Sequence, residues 1–418
     1  MGLLWLCTSH AEQILHCTQD DNALERHNES MPPRDPRLDY RFRFALFYFC
    51  YYAALGAYTP YIGRWVDAMG HGGFVVGAML GLWYATRIVA PPVWAAYSAR
   101  STRPGLWFVA ACALGLLSFA GFTLTRSAFA LLSVMAVFGF FYNAVLPQFE
   151  AMTLTALGRD SHEYGRIRLW GSVGFLIIAG SYGALLDRLG NGSFPWITLP
   201  LLVAALLAAW PHRNDRPPDH IATAADAGHL WKRPGVRRFL LVALLTQAGF
   251  GTFYVFFTLH LQNHGHSGLA VGILWAAGVL AEIVMFWFAP GLIARIGASR
   301  LLGWCLAIGA LRWAVTAIYA DSFAIMLAAQ LTHAFSFALF QSCLMQQMTE
   351  YFPGRRAAAG QSLLYGFSSG VGGVLGAAMA AVLWHYGRGE WAFLGGAAVT
   401  ALAWVAHALR RRTARNTA

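Results

Sequence analysis

Residues 212–237 have the sequence HRNDRPPDHIATAADAGHLWKRPGVR, and this polar stretch divides the chain into two apolar parts. Its mixture of Pro, Asp, Ala and charged residues is typical of a linker. Six apolar segments precede it and six follow it, each long enough to cross a hydrocarbon core of about 30 Å as a helix. The predicted spans are 43–63, 74–98, 106–124, 127–156, 164–188, 194–211, 238–261, 268–293, 301–320, 322–350, 361–385 and 391–409. The pattern predicts an all-α polytopic membrane protein with twelve transmembrane helices in two pseudo-symmetric halves, residues 41–211 and 238–409.

The composition of the 418 residues agrees with a membrane protein. Apolar residues make up 57% of the chain and charged residues only 12%, with 16 Trp, 29 Phe and 43 Gly. Soluble domains carry about 25% charged residues. The shortage of charge excludes a soluble enzyme, a nucleic-acid-binding protein and a disordered chain. We therefore expect the lipid bilayer and a small-molecule substrate as partners, and no nucleic acid.

The distribution of positive charge predicts the orientation in the membrane. Most of the 30 Lys and Arg residues lie in segments on one side of the predicted spans, although the net charge is +11 overall. The exceptions in loops on the other side are Arg64, Arg126, Arg188 and Arg388. Because basic loops stay in the cytoplasm, both termini and the linker 212–237 are predicted to be cytoplasmic. The Ala- and Arg-rich composition suggests a bacterial inner-membrane protein.

The two ends of the chain are expected to be cytoplasmic tails, residues 1–40 and 410–418. The stretch that begins at Met31, MPPRDPRLDYRFR, has the basic character of the cytoplasmic start of a membrane protein. We therefore expect that Met31 is the native start and that residues 1–30 are an upstream extension.

Six ionisable residues lie well inside the predicted spans. A charge at the centre of a bilayer costs at least about 2.5 kcal/mol, so it needs a partner or an aqueous cavity and is a functional candidate. These candidates are Arg87, Glu150, Arg168, Glu282, Arg312 and His333.

Glu150 and Arg168 are predicted to meet across a helical hairpin. The connection between their helices turns near residue 159, and each lies nine residues from that point. Both therefore lie at a similar depth, about 13 Å from the turn at 1.5 Å per residue. The pair is interpreted either as a structural ion pair or as a substrate-binding pair, because an arginine can bind a hydroxyl or carboxylate through two donors.

The sequence YGRIRLWGSVGF, residues 164–175, resembles the helix-five signature of the oligosaccharide:proton symporters and the related phenylpropionate-type permeases, within the major facilitator superfamily. In the lactose-permease-like members, an arginine here and a glutamate eighteen positions earlier bind the sugar, which implies substrate binding by Arg168 and Glu150. The aromatic residue that stacks on the sugar corresponds to Phe175, where those members have Trp. A phenyl ring suits an aromatic or apolar substrate.

Two further residues of the first half are candidates for substrate binding. Arg87, in YATRIVAPP, resembles an arginine of the phenylpropionate-type permeases; a structural charge is the alternative. Asn143 lies two turns from Glu150, and it either contacts substrate or links helices.

The second half also resembles this group. FAPGLIARIG, residues 288–297, is similar to the end of helix eight, and Arg312 and His333 fall near the arginine and histidine of the proton-coupling cluster. The glutamate expected three residues after the histidine is Ser336 here. Glu282 is then the remaining carboxylate in this half that can carry the proton.

The charges favour a carboxylate substrate, because three arginines and two carboxylates leave about one net positive charge in a desolvated cavity. Together with the resemblance, this predicts a secondary active transporter, a proton symporter of an aromatic carboxylate such as a phenylpropionate-like acid, or of a sugar, that works by alternating access as a monomer. A proton-driven exporter is the alternative, and a membrane-embedded enzyme is a remote one. No cofactor is expected.

No metal site is expected from the sequence. His260, His264 and His266, in LHLQNHGHSG, are interpreted as part of a solvated outside loop, with metal binding as the less favoured alternative. A second group of possible ligands near the N-terminus matches no zinc spacing. These residues are Cys7, His10, His16 and Cys17.

Overall fold

The computed structural model describes residues 36–216, 224–353 and 356–416, so residues 1–30, Met31 and the cysteines near the N-terminus lie outside the described residues. All regular secondary structure in these ranges is helical, which confirms the all-α prediction. The helices of the first half are α1 Pro36–Ala68, α2 Gly73–Ser98, α3 Pro104–Ala120, α4 Ala128–Leu157, α5 Tyr164–Leu189 and α6 Phe194–Ala209. Those of the second half are α7 Pro234–Asn263, α8 Gly268–Ile296, α9 Ala298–Ile318, α10 Phe323–Leu331, α11 Phe340–Tyr351, α12 Ala357–Tyr365 and α13 Gly373–Asn416.

Two π-helical segments interrupt the second half. The first, Ala334–Leu339, joins α10 to α11, and the second, Gly366–Gly372, joins α12 to α13. A π-helix widens the helical turn by one residue and occurs frequently at functional sites. The predicted spans 322–350 and 361–385 therefore each consist of two α-helical pieces joined by a π-helical segment.

Ten helices among the described residues are long and apolar enough to cross a membrane. The last of them, Ala359–Leu409, has 51 residues, which exceeds what one crossing of about 30 Å requires. Its backbone breaks at Gly387 and Arg388, so it has room for two crossings. The tyrosine-rich α1, at 33 residues, is also long enough to span. The twelve predicted crossings are consistent with this arrangement and stay a prediction.

Several helices begin where the sequence provides a suitable first turn. The side chains of Ser127, Ser267 and Ser322 each accept a hydrogen bond from the backbone amide three residues later. Such N-caps satisfy an amide that has no partner within the helix, and they fix the starts of α4, α8 and α10. Pro104 and Pro234 occupy the first turns of α3 and α7, where a missing amide proton costs nothing.

The two halves pack against each other through small residues. Within the halves, α1 packs on α5 and α7 packs on α13; between them, α5 contacts α8 and α2 contacts α13. Gly180 and Gly183 of α5 face Gly272 and Gly268 of α8 so closely that a Cβ on Gly183, Gly268 or Gly272 would overlap the opposite backbone. This contact lies where α5 ends and α8 begins, which we call the predicted outer end because the charge distribution predicts that it faces outside.

The first residue of the predicted linker packs onto the first half. His212 is fully buried, and its ring contacts Phe44 and Phe149 at centroid distances of 4.5 and 5.1 Å. Its Nδ1 lies 2.8 Å from Asp215 Oδ2. At the other end of the linker, α7 begins at Pro234, four residues before the predicted span.

Candidate functional site

The structure brings Glu150 and Arg168 together between α4 and α5. Arg168 Nε lies 3.7 Å from Glu150 Oε1. The arginine side chain is 2% exposed, whereas the Glu150 side chain is 17% exposed. The guanidinium is therefore enclosed by protein, while part of the carboxylate stays accessible to a ligand.

Tyrosines of α1 hold the Arg168 guanidinium in place. Arg168 donates a hydrogen bond through Nη2 to the hydroxyl of Tyr52, and its Cζ lies 4.0 Å from the centroid of that ring. The ring of Tyr48 lies 5.1 Å from the same Cζ. Cation–π contacts of this kind are strengthened by desolvation, so they help to offset the cost of burying the charge.

Arg87 and Asn143 form a second polar group, between α2 and α4. Arg87 Nε donates to Asn143 Oδ1 over 3.3 Å. The Asn143 amide in turn donates to the Trp83 carbonyl at 3.0 Å and to Thr86 Oγ1 at 2.9 Å. Asn143 therefore links the two helices and orients Arg87, and its contact with substrate stays a prediction.

The Arg87 guanidinium has aromatic neighbours but no carboxylate partner within the described ranges. Its Cζ lies 5.5 Å from the Trp83 ring centroid and 5.4 Å from that of Tyr84. No described Asp or Glu oxygen lies within 4.0 Å of it, in contrast to Arg168. Arg87 as a whole residue is 8% exposed. Arg87 is thus a nearly buried cation that the described protein residues leave without a counter-charge.

Arg312, His333 and Glu282 form a continuous row in the second half. Arg312 Nη1 lies 2.9 Å from His333 Nδ1, and His333 Nε2 lies 3.6 Å from Glu282 Oε2. Since a guanidinium can only donate, Nδ1 must accept, and the proton of the neutral ring is on Nε2, facing the glutamate. All three residues are at most 3% exposed.

Neutral groups supply the remaining partners of Arg312. Its Nη2 donates to Gln330 Oε1 over 2.6 Å, and its Nη1 also donates to Ser336 Oγ over 3.2 Å. Ser336 thus occupies the place where the resemblance implies a glutamate, and it binds the arginine without balancing its charge. Glu282 supplies the carboxylate of this row, and its Oε1 has no hydrogen-bond partner in the described chain.

The first π-helical segment begins directly after His333. The extra residue per turn changes the direction of the side chains that follow, including Ser336. Ser336 lies within this segment and His333 directly before it, and both hydrogen-bond to Arg312. The apolar pattern of the sequence does not indicate this segment.

Tyr254 of α7 is a functional candidate that the sequence analysis missed. Its hydroxyl is buried and has no hydrogen-bond partner among the described residues. It lies within electrostatic range of Arg87 in the first half and of both Glu282 and Arg312 in the second. A tyrosine in an apolar span resembles any packed aromatic residue, so only its position between the two halves distinguishes it.

Phe175 is fully buried, two turns along α5 from Arg168. Its backbone is in contact with Gly56 of α1. None of the described ring contacts joins Phe175 to another aromatic side chain, and the aromatic rings beside Arg168 are those of Tyr48 and Tyr52. The predicted stacking of a substrate on Phe175 stays a prediction.

The histidines of LHLQNHGHSG do not all lie in a solvated loop, contrary to the sequence interpretation. His260 belongs to the last turn of α7 and is 1% exposed, because its ring packs on Phe393 at a centroid distance of 4.9 Å. His264 follows the helix end, and His266 lies in the short connection to α8. His260 falls within the predicted span 238–261, so the loop interpretation was wrong for this residue, and α7 extends two residues beyond that span to Asn263.

Comparisons with known proteins place the chain among transporters. The family described as "MFS_1 like family" matches residues 41–395. The "Probable 3-phenylpropionic acid transporter" of Escherichia coli (strain K12) is 28% identical over 278 residues, which cover 65% of this chain and 72% of that protein. The "Maltose permease" of Geobacillus stearothermophilus is 29% identical over 276 residues, covering 65% of this chain and 69% of that protein.

Solved structures agree in fold. The nucleoside transporter NupG matches with a TM-score of 0.78 at 14% identity, over 88% of this chain and 98% of that one. A bacterial homologue of the human lysosomal transporter Spinster, in an inward-facing and unoccupied conformation, matches with a TM-score of 0.72 at 14% identity, over 91% of this chain and 98% of that one. Since the family match spans most of its length, the chain belongs to the MFS_1-like family of the major facilitator superfamily and is a multi-pass membrane transporter.

Proposed function

We propose that this transporter is a proton-coupled importer of small aromatic carboxylates, with 3-phenylpropionate as the type substrate. It acts as a monomer in a bacterial inner membrane, with both termini in the cytoplasm and without catalytic activity. The halves 41–211 and 238–409 form the two moving bodies, and the substrate binds between them.

The observation that carries this proposal is the unbalanced charge of Arg87. The described charges near the middle of the spans are three guanidinium groups and the two carboxylates of Glu150 and Glu282. Arg168 lies beside Glu150, and Arg312 connects to Glu282 through His333, so Arg87 accounts for the surplus. While Glu282 is ionised, a substrate carboxylate at Arg87 would balance the third guanidinium and offset the cost of keeping that cation out of water.

The surroundings of Arg87 suit an aromatic ring attached to that carboxylate. Trp83 and Tyr84 flank the guanidinium, and Tyr254 offers a buried hydroxyl from the opposite half. A hydroxyl without a partner costs free energy until a ligand or water satisfies it. One ligand that binds Arg87 and Tyr254 together would draw the two halves toward each other.

Proton coupling is assigned to Glu282, with His333 and Arg312 as its partners. Burial disfavours a charged carboxylate, and the proton on His333 Nε2 faces it at a distance that a small movement would shorten to a hydrogen bond. Protonation of Glu282 would neutralise its carboxylate and change the net charge of the buried row by one, so proton binding would alter the electrostatic balance that governs reorientation. Movement of Arg312 or His333 closer to the glutamate would then favour release of the proton.

Alternating access is supported by a polar contact that joins the halves at the predicted outer end. Asp187 of α5 accepts a hydrogen bond from the Gly268 amide, the first residue of α8, at 2.7 Å. The other oxygen of this carboxylate lies 2.8 Å from Arg64 Nη2 of α1. A carboxylate at a helix N-terminus is a favourable and reversible contact. Its opening, together with separation of the glycine faces, would expose the site to the outside.

A sugar is the second candidate substrate, and the Glu150–Arg168 pair favours it. A partly accessible carboxylate beside a guanidinium and tyrosine rings can bind hydroxyl groups and a sugar face. The maltose permease similarity supports this alternative. It differs from the main proposal in that it leaves the Arg87 charge unbalanced.

The test is uptake into proteoliposomes with an acidic outside and a negative inside, with and without a protonophore. Labelled 3-phenylpropionate, benzoate, maltose and lactose are compared, and protein-free liposomes correct for diffusion of the neutral acids. We expect protein-dependent, protonophore-sensitive accumulation of the aryl carboxylates and none of the sugars. Accumulation of sugars alone would reject the carboxylate assignment, and efflux from loaded vesicles without uptake would indicate an exporter.

A further inference from the structure

Three metal-ligating side chains converge at the predicted outer end of the second half, away from the proposed transport site. His260 and His264 come from the end of α7, and Glu390 follows the break in α13. One ligand atom of each lies within 4.8 Å of those of the other two. His264 Nε2 lies 3.4 Å from Glu390 Oε1. Across the described ranges this is the one group of three such residues so close together.

Backbone carbonyls fix which nitrogen of each ring is free. His260 Nε2 lies 3.0 Å from the Thr316 carbonyl, and His264 Nδ1 lies 2.8 Å from the His260 carbonyl. A carbonyl oxygen only accepts, so both of these nitrogens carry the proton. His260 Nδ1 and His264 Nε2 therefore present lone pairs. Metal-ligating histidines are typically oriented in this way, by a hydrogen bond from the second nitrogen.

The chain segment before Glu390 packs against the His260 ring. Gly389 packs directly against the imidazole, where a Cβ would overlap Nδ1, so only a glycine allows the chain to approach the ring this closely. Arg388 has a φ of 56°, a left-handed conformation that is uncommon for a residue other than glycine. This turn directs the chain so that Glu390 reaches the histidines.

We propose that His260, His264 and Glu390 bind a divalent transition-metal ion, with Zn²⁺ as the best fit. Two imidazoles and one carboxylate, with water as the fourth ligand, form a common tetrahedral zinc set. With bonds of about 2.0 Å, tetrahedral ligand atoms lie about 3.3 Å apart. The His264–Glu390 distance already matches, and His260 needs an approach of about 1.5 Å at most.

The position of the site defines what the metal would connect. It ties the end of α7 to the connection between the last two predicted spans, so it stabilises one half without crossing to the other. His264 and Glu390 are 19% and 45% exposed, which gives an ion access from solvent. The inference is independent of the transported substrate.

The test is isothermal titration of Zn²⁺ into the purified full chain, prepared without a polyhistidine tag and stripped with a chelator. We expect the wild type to have a Zn²⁺ site that His264→Ala and Glu390→Gln each weaken at least tenfold. His266→Ala is the matched control, because its Nε2 bonds the Ala320 carbonyl at 2.7 Å and lies outside the cluster. His260 is left unchanged, since its burial makes replacement disruptive.

Thermal unfolding with and without Zn²⁺ provides a second readout. Wild type and His266→Ala should gain the same increase in Tm on Zn²⁺ addition, and His264→Ala should gain none. All variants should have similar Tm values in chelator, because His264 and Glu390 are partly exposed. Equal Zn²⁺ binding by wild type and His264→Ala would overturn the proposal, as would an equal loss in His266→Ala. In that case His264 and Glu390 would form an ion pair only.

Discussion

Replacing Arg87 with glutamine removes the positive charge to which we assign the substrate carboxylate. The structure suggests a small effect on folding. Asn143 keeps its bonds to the Trp83 carbonyl and to Thr86, and glutamine can still donate to Asn143. Since no described carboxylate pairs with Arg87, the substitution leaves no carboxylate of the first half without its ion-pair partner. The change therefore tests binding rather than stability.

The expected magnitude follows from the contact that would be lost. A hydrogen bond between charged groups in a desolvated site contributes about 1.5–3 kcal/mol. At about 1.4 kcal/mol for each factor of ten, KM for 3-phenylpropionate should rise about 10- to 100-fold. Arg87→Lys keeps the charge but loses the planar pair of donors, so its KM should lie between those of the wild type and Arg87→Gln.

The assay is the initial rate of proton-driven uptake into proteoliposomes over a range of 3-phenylpropionate concentrations. Arg126→Gln is the matched control, since it makes the same substitution at an exposed residue of a connecting segment. It should have the wild-type KM. A KM for Arg87→Gln within twofold of the wild type would refute the assignment of the substrate carboxylate to Arg87.

Three further substitutions test other parts of the account. Arg168→Lys should lower uptake at least tenfold while the protein stays monodisperse in gel filtration, because lysine cannot reproduce the donors that bind Glu150 and Tyr52. Uptake at the wild-type level would show that the Glu150–Arg168 pair is structural only. Gly268→Val should hold the outer ends of α5 and α8 apart by about 1 Å or more. It should abolish substrate exchange and leave substrate binding, measured by fluorescence, intact; Gly192→Val, at a residue surrounded by open space, is the control. Gly174→Ala should destabilise the protein by about 1–3 kcal/mol, because its Cβ would overlap the α1 backbone. Thermal unfolding against Gly291→Ala, where nothing lies within 4 Å, checks this, and equal Tm values would contradict the packing argument.

The hairpin geometry predicted the similar depth of Glu150 and Arg168, and the structure brings the two side chains together. Their equal distance from the turn depends only on the rise of an α-helix, which tertiary contacts hardly change. The all-helical fold followed in the same way from the length of the apolar segments. The positions of Arg312 and His333 were implied by resemblance, and their contact depends on how the two helices pack, which periodicity does not predict.

The features that the sequence did not indicate depend on long-range packing. Tyr254 is distinguished by a hydroxyl without a described partner between the two halves, and nothing in its neighbouring residues signals this. Glu390 lies 126 residues after His264, and an unusual backbone turn at Arg388 brings it near. The pairing of Asp187 with the start of α8 likewise requires knowledge of which helices face each other.

Glu282→Gln tests the central claim, that one buried carboxylate couples proton movement to substrate transport. Glutamine imitates the protonated acid in shape and charge. The variant should therefore lose proton-driven accumulation of 3-phenylpropionate yet retain exchange between labelled and unlabelled substrate across the membrane. Glu350→Gln, at an exposed residue near the end of α11, should retain both. Accumulation at the wild-type level in Glu282→Gln would contradict the account, as would loss of exchange together with accumulation.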